Sequence, residues 1–441
     1  MNTNKVSKLP LFPLTAEVDN QGHLCIGGCD VVDLAREFGT PLYLFDEFTL
    51  RSKCREFKDK FSKRYADTLV IYASKAFLNR ALALILKEEG LGLDVVSGGE
   101  LSVSHSVEFP LDRVYFHGNN KTPEELKLAL DWGIGRVVVD NFCELELLSS
   151  LTKEKDISQD ILLRITPGVD PHTHQYTATG TLDSKFGFSL ATGQAEEAVK
   201  QAMSASKLNL LGLHFHLGSP VSETKPYELA IELVLHFARE VSQKYGFHIS
   251  EFSIGGGFAI PYTLDSKELT VDDYAKAISY KLNSFIPESG LGYPRLIIEP
   301  GRAIVGQAGI ALYTAGAIKE IPEVRKYVCI DGGIADNIRP ALYGAKHEAL
   351  VANKALEAEG DIVTIAGKLC ESGDILVRNT NLASVQSGDI IAIPVCGAYS
   401  IPMSSNYNAL PRPAIVMVEK GKARLVRRRE SYQDLMKLDV I

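Results

Sequence analysis

Short apolar, β-rich runs alternate with amphipathic helical stretches along most of this chain, and that alternation leaves few architectures open. The runs are Thr68–Ala73, Leu91–Val96, Val114–His117, Arg136–Val139, Ile161–Ile165, Leu211–Phe215, Phe252–Ile254 and Arg295–Ile298, eight in all. Parallel strands need long crossovers, and the helical stretches between the runs supply them. One such stretch carries its own punctuation. Thr122 is placed to cap it, Pro123 suits its first turn, Glu125 completes a capping box, and Gly133 is a natural terminator. Eight parallel strands with eight crossovers close into a barrel, so the expected fold is α/β, a (β/α)8 TIM-type barrel.

The texture changes after about residue 310, where β-rich runs appear at Tyr327–Ile330, Ile362–Ala366, Ile390–Val395 and Ala414–Val418. Turn signals such as Ser387-Gly388-Asp389 and Lys420-Gly421 separate them. A length of 441 residues also favours more than one domain. The expectation is a barrel over residues 37–310 and a mainly antiparallel β domain over 311–441, which residues 1–36 join through the segment around Leu24–Ile26. A net charge of −8 argues against a general nucleic-acid binder. No uninterrupted apolar run reaches the ~18 residues of a membrane span. Seven scattered cysteines, with Cys25 and Cys29 close but no second pair to complete a zinc site, suggest a reducing cytoplasm and no bound metal.

A barrel of this kind gathers its chemistry at the C-terminal ends of its strands. Lys75 follows the first run, Asp94 and Ser97 end the second, His117 ends the third and Asp140 follows the fourth. His216 and Ser219 follow the sixth, Gly255-Gly256-Gly257 the seventh, and Glu299-Pro300-Gly301-Arg302 the eighth. The fifth run meets only Thr166-Pro167-Gly168, which reads as a turn. A desolvated Lys75 amine would be a nucleophile. Three glycines let backbone N–H groups approach an anion. Glu299 at the end of a buried run needs a cationic partner. Each feature alone also has a plainer reading: a strand-capping lysine, a tight turn, an ion pair of Glu299 with Arg302. His214 reads as a satisfied core histidine, and Cys370, set among polar residues beside Glu371, as either a buried or a reactive thiol.

Taken together, the motifs resemble the fold-type III pyridoxal-phosphate decarboxylases, the family with an alanine-racemase-like barrel, and most of all their diaminopimelate branch. The likeness runs through Tyr72-Ala73-Ser74-Lys75-Ala76, Gly92-Leu93-Asp94-Val95-Val96-Ser97-Gly98-Gly99-Glu100, Ser184-Lys185-Phe186-Gly187 and Gly212-Leu213-His214-Phe215-His216-Leu217-Gly218-Ser219. It continues through Ile254-Gly255-Gly256-Gly257, Glu299-Pro300-Gly301-Arg302, Arg339-Pro340-Ala341-Leu342-Tyr343, Cys370-Glu371-Ser372-Gly373-Asp374 and Gly397-Ala398-Tyr399. The resemblance implies decarboxylation of meso-diaminopimelate to lysine, with carboxynorspermidine, ornithine, arginine or a secondary-metabolite amino acid as alternative substrates. It implies that Lys75 bonds pyridoxal 5'-phosphate and that His216 stacks on its ring. Ser219, Gly255, Gly256, Gly257 and Tyr399 would surround the phosphate, and Glu299 would pair with the ring nitrogen. Asp94, Gly301 and Arg302 would complete the cofactor's surroundings. Arg302, Arg339, Tyr343 and Tyr399 would hold substrate, Glu371 would meet its far amine, and Cys370 would return a proton. Cys370 and Glu371 would come from a second subunit, which implies a homodimer with shared active sites. Phe77, Thr166 and Ala259 depart from the family's usual residues.

Overall fold

The structure, a computed structural model, describes residues 6–170 and 184–440. All eight runs are strands: β1 (Thr68–Ala73), β2 (Gly92–Val95), β3 (Val114–Phe116), β4 (Arg136–Val139), β5 (Gln159–Thr166), β6 (Leu208–His214), β7 (Glu251–Ser253) and β8 (Arg295–Ile298). They pair in chain order, every pair parallel. β8 returns to β1 through Leu296↔Thr68, Ile297↔Leu69 and Ile298↔Val70, so the sheet has no free edge. The crossovers are helices, and the one over Pro123–Trp132 is built as its residues suggest. Thr122 and Glu125 cap each other reciprocally, and Gly133 ends the helix in the left-handed conformation at φ 68°.

The barrel's interior has a chemical gradient along its axis. Ile71, Tyr115, Val138, Leu162 and Ile297 pack together in its middle, all buried. Each such side chain contributes about 1.5–3 kcal/mol by leaving water. At the strands' N-terminal ends, Glu251 accepts from Arg136 Nη2 at 2.8 Å and from the Tyr115 hydroxyl at 3.1 Å. That end is closed by groups that satisfy one another. At the C-terminal ends, by contrast, both Asp94 oxygens and His117 Nε2 are buried without a hydrogen bond among the described residues.

The chain divides into two compact units. The barrel unit comprises Cys54–Ala259 and Glu268–Gly301; the other comprises the chain up to Lys53, the excursion Ile260–Lys267 and the chain from Arg302 onward. In the second unit, β9 (Gly309–Ile321) pairs antiparallel with β10 (Arg325–Ile330) and with β13 (Ile390–Ile393). β11 (Asp361–Ala366) lies parallel to β10 and antiparallel to β12 (Ile375–Leu382). β14 (Ala414–Glu419) and β15 (Lys422–Arg427) form a hairpin. The result is a mainly antiparallel sheet, as its runs foretold. The strand Leu42–Asp46 belongs here too, antiparallel to β9 and parallel to β14, although it falls inside the span 37–310 first allotted to the barrel. The reason is visible in its burial. All five residues are buried, so the strand needs a neighbour on each edge and cover on each face, and β9 and β14 supply the edges.

Candidate active site

At the C-terminal end of the barrel, side chains from six strands converge. Lys75 Nζ, just past β1, lies 3.7 Å from Asp94 Oδ2 on β2. Asp94 Oδ1 is 3.8 Å from His117 Nε2, and the same nitrogen is 3.5 Å from Glu299 Oε1, which follows β8. Glu299 accepts a hydrogen bond from the Ser253 hydroxyl at 2.7 Å, and its other oxygen is 3.3 Å from His214 Nε2. Burial opposes ionisation of Glu299, but His214, His117 and the Ser253 hydroxyl outweigh it and hold the carboxyl well below the usual range. Burial, helped by the negative charges of Glu299 and Glu100, drives Asp94 up to about 7 against the attraction of Lys75. His117, His214 and His216 are all held below the usual imidazole range by burial, so each ring is neutral at neutral pH.

Beside this group stands a backbone cradle. Gly255 and Gly257 have φ of +71° and +107°, which side-chain-bearing residues rarely adopt. A Cβ on Gly256 would sit 2.1 Å from the Glu299 carbonyl oxygen, and one on Gly257 would sit 2.4 Å from that of Gly218. The Gly256 N–H donates to His216 Nδ1 at 3.2 Å, which fixes the imidazole against the glycine turn.

The second unit holds a cluster of its own. Arg302 donates to the Tyr262 hydroxyl at 2.7 Å, and its guanidinium lies 4.9 Å from the Tyr399 ring centre. The Arg339 guanidinium lies 4.9 Å from the Tyr262 ring centre and 6.0 Å from that of Tyr399, and its Nη1 donates to the Ala398 carbonyl at 3.3 Å. Tyr399 adopts φ +58°, a left-handed conformation unusual for a side-chain-bearing residue. Cys370 and Glu371 are exposed instead. The Cys370 backbone N–H donates to Asn408, and Glu371 accepts from the Gly373 N–H at 3.1 Å. Tyr343 is 64% exposed, whereas Tyr262 and Tyr399, the rings beside the arginines, are half-buried.

These residues suit pyridoxal phosphate. The glycine turn offers backbone N–H groups free of side chains, as a phosphate needs, and the buried, ionised Glu299 carboxylate is a chemical match for a protonated ring nitrogen. His117 Nε2 and both Asp94 oxygens are buried without a hydrogen bond among the described residues. A model of the pyridoxal-binding domain of pyridoxal-dependent decarboxylases matches residues 48–306. Diaminopimelate decarboxylase of Bacillus subtilis is 48% identical over 426 residues, covering 97% of each chain. The chain belongs to the diaminopimelate decarboxylase family. A crystal structure of diaminopimelate decarboxylase from M. jannaschii with L-lysine superposes with a TM-score of 0.92 at 36% identity, covering 97% of this chain and 98% of that one. The enzyme from Helicobacter pylori, also with L-lysine, gives 0.83 at 30% identity, covering 93% and 99%.

As a diaminopimelate decarboxylase, the chain is a pyridoxal-phosphate-dependent carboxy-lyase. Of the expected barrel residues, Lys75, Asp94 and Glu299 are linked through His117, and His216 is tied to the glycines. Gly301 packs where a Cβ would lie 3.0 Å from that of Ala73. Ser219, five residues past β6, is exposed. His214 is not the plain core histidine its sequence suggested, because its Nε2 faces Glu299. β5 is not chemically silent either. Arg164, two residues before its end, lies 3.7 Å from Asp140 and 4.2 Å from the Phe186 ring centre. Ser253 and Tyr262 escaped sequence reasoning; the signal for Ser253 was its place at the last position of β7. Of the departures from the family pattern, Thr166 donates to the Phe186 carbonyl at 2.6 Å and Phe77 is buried, its carbonyl accepting from the Tyr72 hydroxyl at 2.7 Å. The Ala259 N–H donates to the Tyr274 hydroxyl at 3.3 Å.

Proposed function

We propose that the chain converts meso-2,6-diaminopimelate to L-lysine and carbon dioxide, the last step of lysine biosynthesis, as a homodimer with shared active sites. The observation that carries this reading is the buried, ionised Glu299, held in that state by Ser253 and His214 at the same barrel end as Lys75. When bound, pyridoxal phosphate supplies an electron sink for the pair released as the α-carboxylate departs. Glu299 keeps a proton on the ring nitrogen and so keeps that sink deep. Lys75 would hold the cofactor through its amine. His216 would pack against the cofactor, and the N–H groups of Gly255, Gly256 and Gly257, with Ser219 and Tyr399, would hold its phosphate.

Arg302, Arg339 and Tyr343 hold substrate carboxylate, for which the planar guanidinium fork is suited. Glu371 meets the distal amine, and Cys370 returns a proton to Cα. The exposure of Cys370 and Glu371 supports their service to a second copy of the chain. The cysteines of the chain are free thiols, which supports a cytoplasmic location.

Mixed oligomers test the reading. Lys75→Ala should lose the bound cofactor's absorbance and all lysine formation, and Cys370→Ala should keep the absorbance but form little lysine. Unfolding and refolding the two together should restore about a quarter of wild-type turnover, because half of randomly formed dimers contain one intact site. No recovery would remove the shared site. Carbon dioxide released from ornithine or arginine, and none from diaminopimelate, would overturn the substrate.

A further inference from the structure

Two guanidinium groups repel each other, and a receptor that uses both must hold them together before its anionic ligand arrives. In the second unit two rings, those of Tyr262 and Tyr399, each face both, and the Tyr262 hydroxyl also accepts a hydrogen bond from one of them. Tyr262 lies on the excursion Ile260–Lys267, which leaves the barrel between β7 and β8. Its hydroxyl accepts from Arg302 Nη1 at 2.7 Å, and its ring centre lies 5.7 Å from the Arg302 guanidinium carbon and 4.9 Å from that of Arg339. The electron-rich face of the ring attracts both cations. Among the described residues no carboxylate lies within ion-pair distance of Arg339, so this ring and Tyr399 are what its charge faces. Tyr262 is itself braced. The His347 ring stands edge-on to it at 5.5 Å between centres and 81° between planes, and His347 Nδ1 is 3.4 Å from the Pro394 carbonyl oxygen. That contact places the proton on Nδ1. Burial, with Arg339 nearby, keeps His347 down at about 4, so it adds no third positive charge.

We propose that Tyr262 is a positioning residue of this decarboxylase, setting Arg302 and Arg339 as a preformed pair for a substrate carboxylate. The proposal rests on the reading of those arginines as carboxylate binders. It assigns each part of the side chain a separate task. The hydroxyl fixes the direction of the Arg302 fork, and the ring lowers the cost of two neighbouring cations. Neither task touches the bonds that break, so the effect belongs in KM.

The test uses the holoenzyme with diaminopimelate as substrate. Tyr262→Phe keeps the ring and removes the acceptor; KM should rise roughly tenfold, with kcat within about threefold and the bound cofactor's absorbance unchanged. Tyr262→Leu removes the ring as well and should raise KM further, so that the phenylalanine variant counts as partial rescue. In a double-mutant cycle, Tyr262→Phe should add little once Arg302→Lys is present, because both changes break one contact. An unchanged KM in both tyrosine variants overturns the proposal. So does a fall in kcat and cofactor absorbance without a KM change, which would mark a merely structural role. Arg302→Lys and Arg339→Lys, measured alongside, separate the two claims. If they leave KM unchanged, the carboxylate reading itself fails and the proposal with it. If they raise KM while Tyr262→Phe does not, the tyrosine proposal fails by itself.

Discussion

Glu299 is charged where burial opposes charge, and the side chains around it account for that. Ser253 donates from one side at 2.7 Å, and His214 faces the other oxygen at 3.3 Å. Glu299→Gln preserves shape while abolishing the negative charge, which on the proposed function is what would hold the proton on the ring nitrogen. Turnover should fall by roughly a hundredfold, a loss typical of removing one electrostatic contributor. Cofactor affinity and Tm should change little; kcat from carbon dioxide release and the absorbance of the bound cofactor check both. A variant with wild-type kcat would remove the carboxylate from the chemistry. Glu299 was legible in the sequence because a charge closing an apolar run must find a partner. His214 was not, since alternation says that a side chain faces inward and nothing about what stands across the barrel. Tyr262 left no trace at all, because its loop carries no periodicity and its partners, Arg302 and Arg339, are 40 and 77 positions away in sequence.

At the scale of elements, strand identity was the easiest property to read and strand reach the hardest. All eight barrel runs could be found because each is a short apolar stretch bounded by turn or cap residues. β5 extends to Thr166, however, and the polar Arg164 within it points to Asp140, so a search confined to residues after the run passed over it. In the second unit, β12 and β15 went unnoticed because exposed polar residues interrupt their patterns, whereas β9 has a buried apolar first half and lies where the texture of the sequence changes. The glycine turn after β7 is an element whose requirement can be measured. Gly256→Ala would put a methyl group 2.1 Å from the Glu299 carbonyl oxygen, so β7 and β8 must separate or the turn must move. The expected cost is about 1–3 kcal/mol, read as a lower Tm together with a weaker cofactor Kd. Gly360→Ala is the control, since nothing lies within 4 Å of its added Cβ. Equal effects from the two substitutions would refute the steric account.

For the molecule as a whole, stability should depend on pH through a carboxyl group buried in the second unit. Asp336 is buried, accepts from the Gly333 N–H at 2.8 Å and the Tyr313 hydroxyl at 2.7 Å, and is pushed up to about 7 by burial. A carboxyl raised in the folded state binds its proton more tightly there than in the unfolded chain. Its contribution is therefore full below the unfolded value of 3.8 and is lost as pH rises through about 7. Each pH unit crossed in that window removes at most about 1.4 kcal/mol. Asp336→Asn cannot ionise, so its Tm relative to wild type should climb between pH 5 and pH 8. A flat difference would show that Asp336 does not titrate in that range. The strand Leu42–Asp46 has a consequence for synthesis. Residues 68–298 supply every strand that closes the barrel, whereas this earlier strand finds its parallel neighbour only at Ala414–Glu419. The ribosome thus releases one long-range partner near the start and the other near the end, so this early segment must wait for its sheet while the barrel assembles.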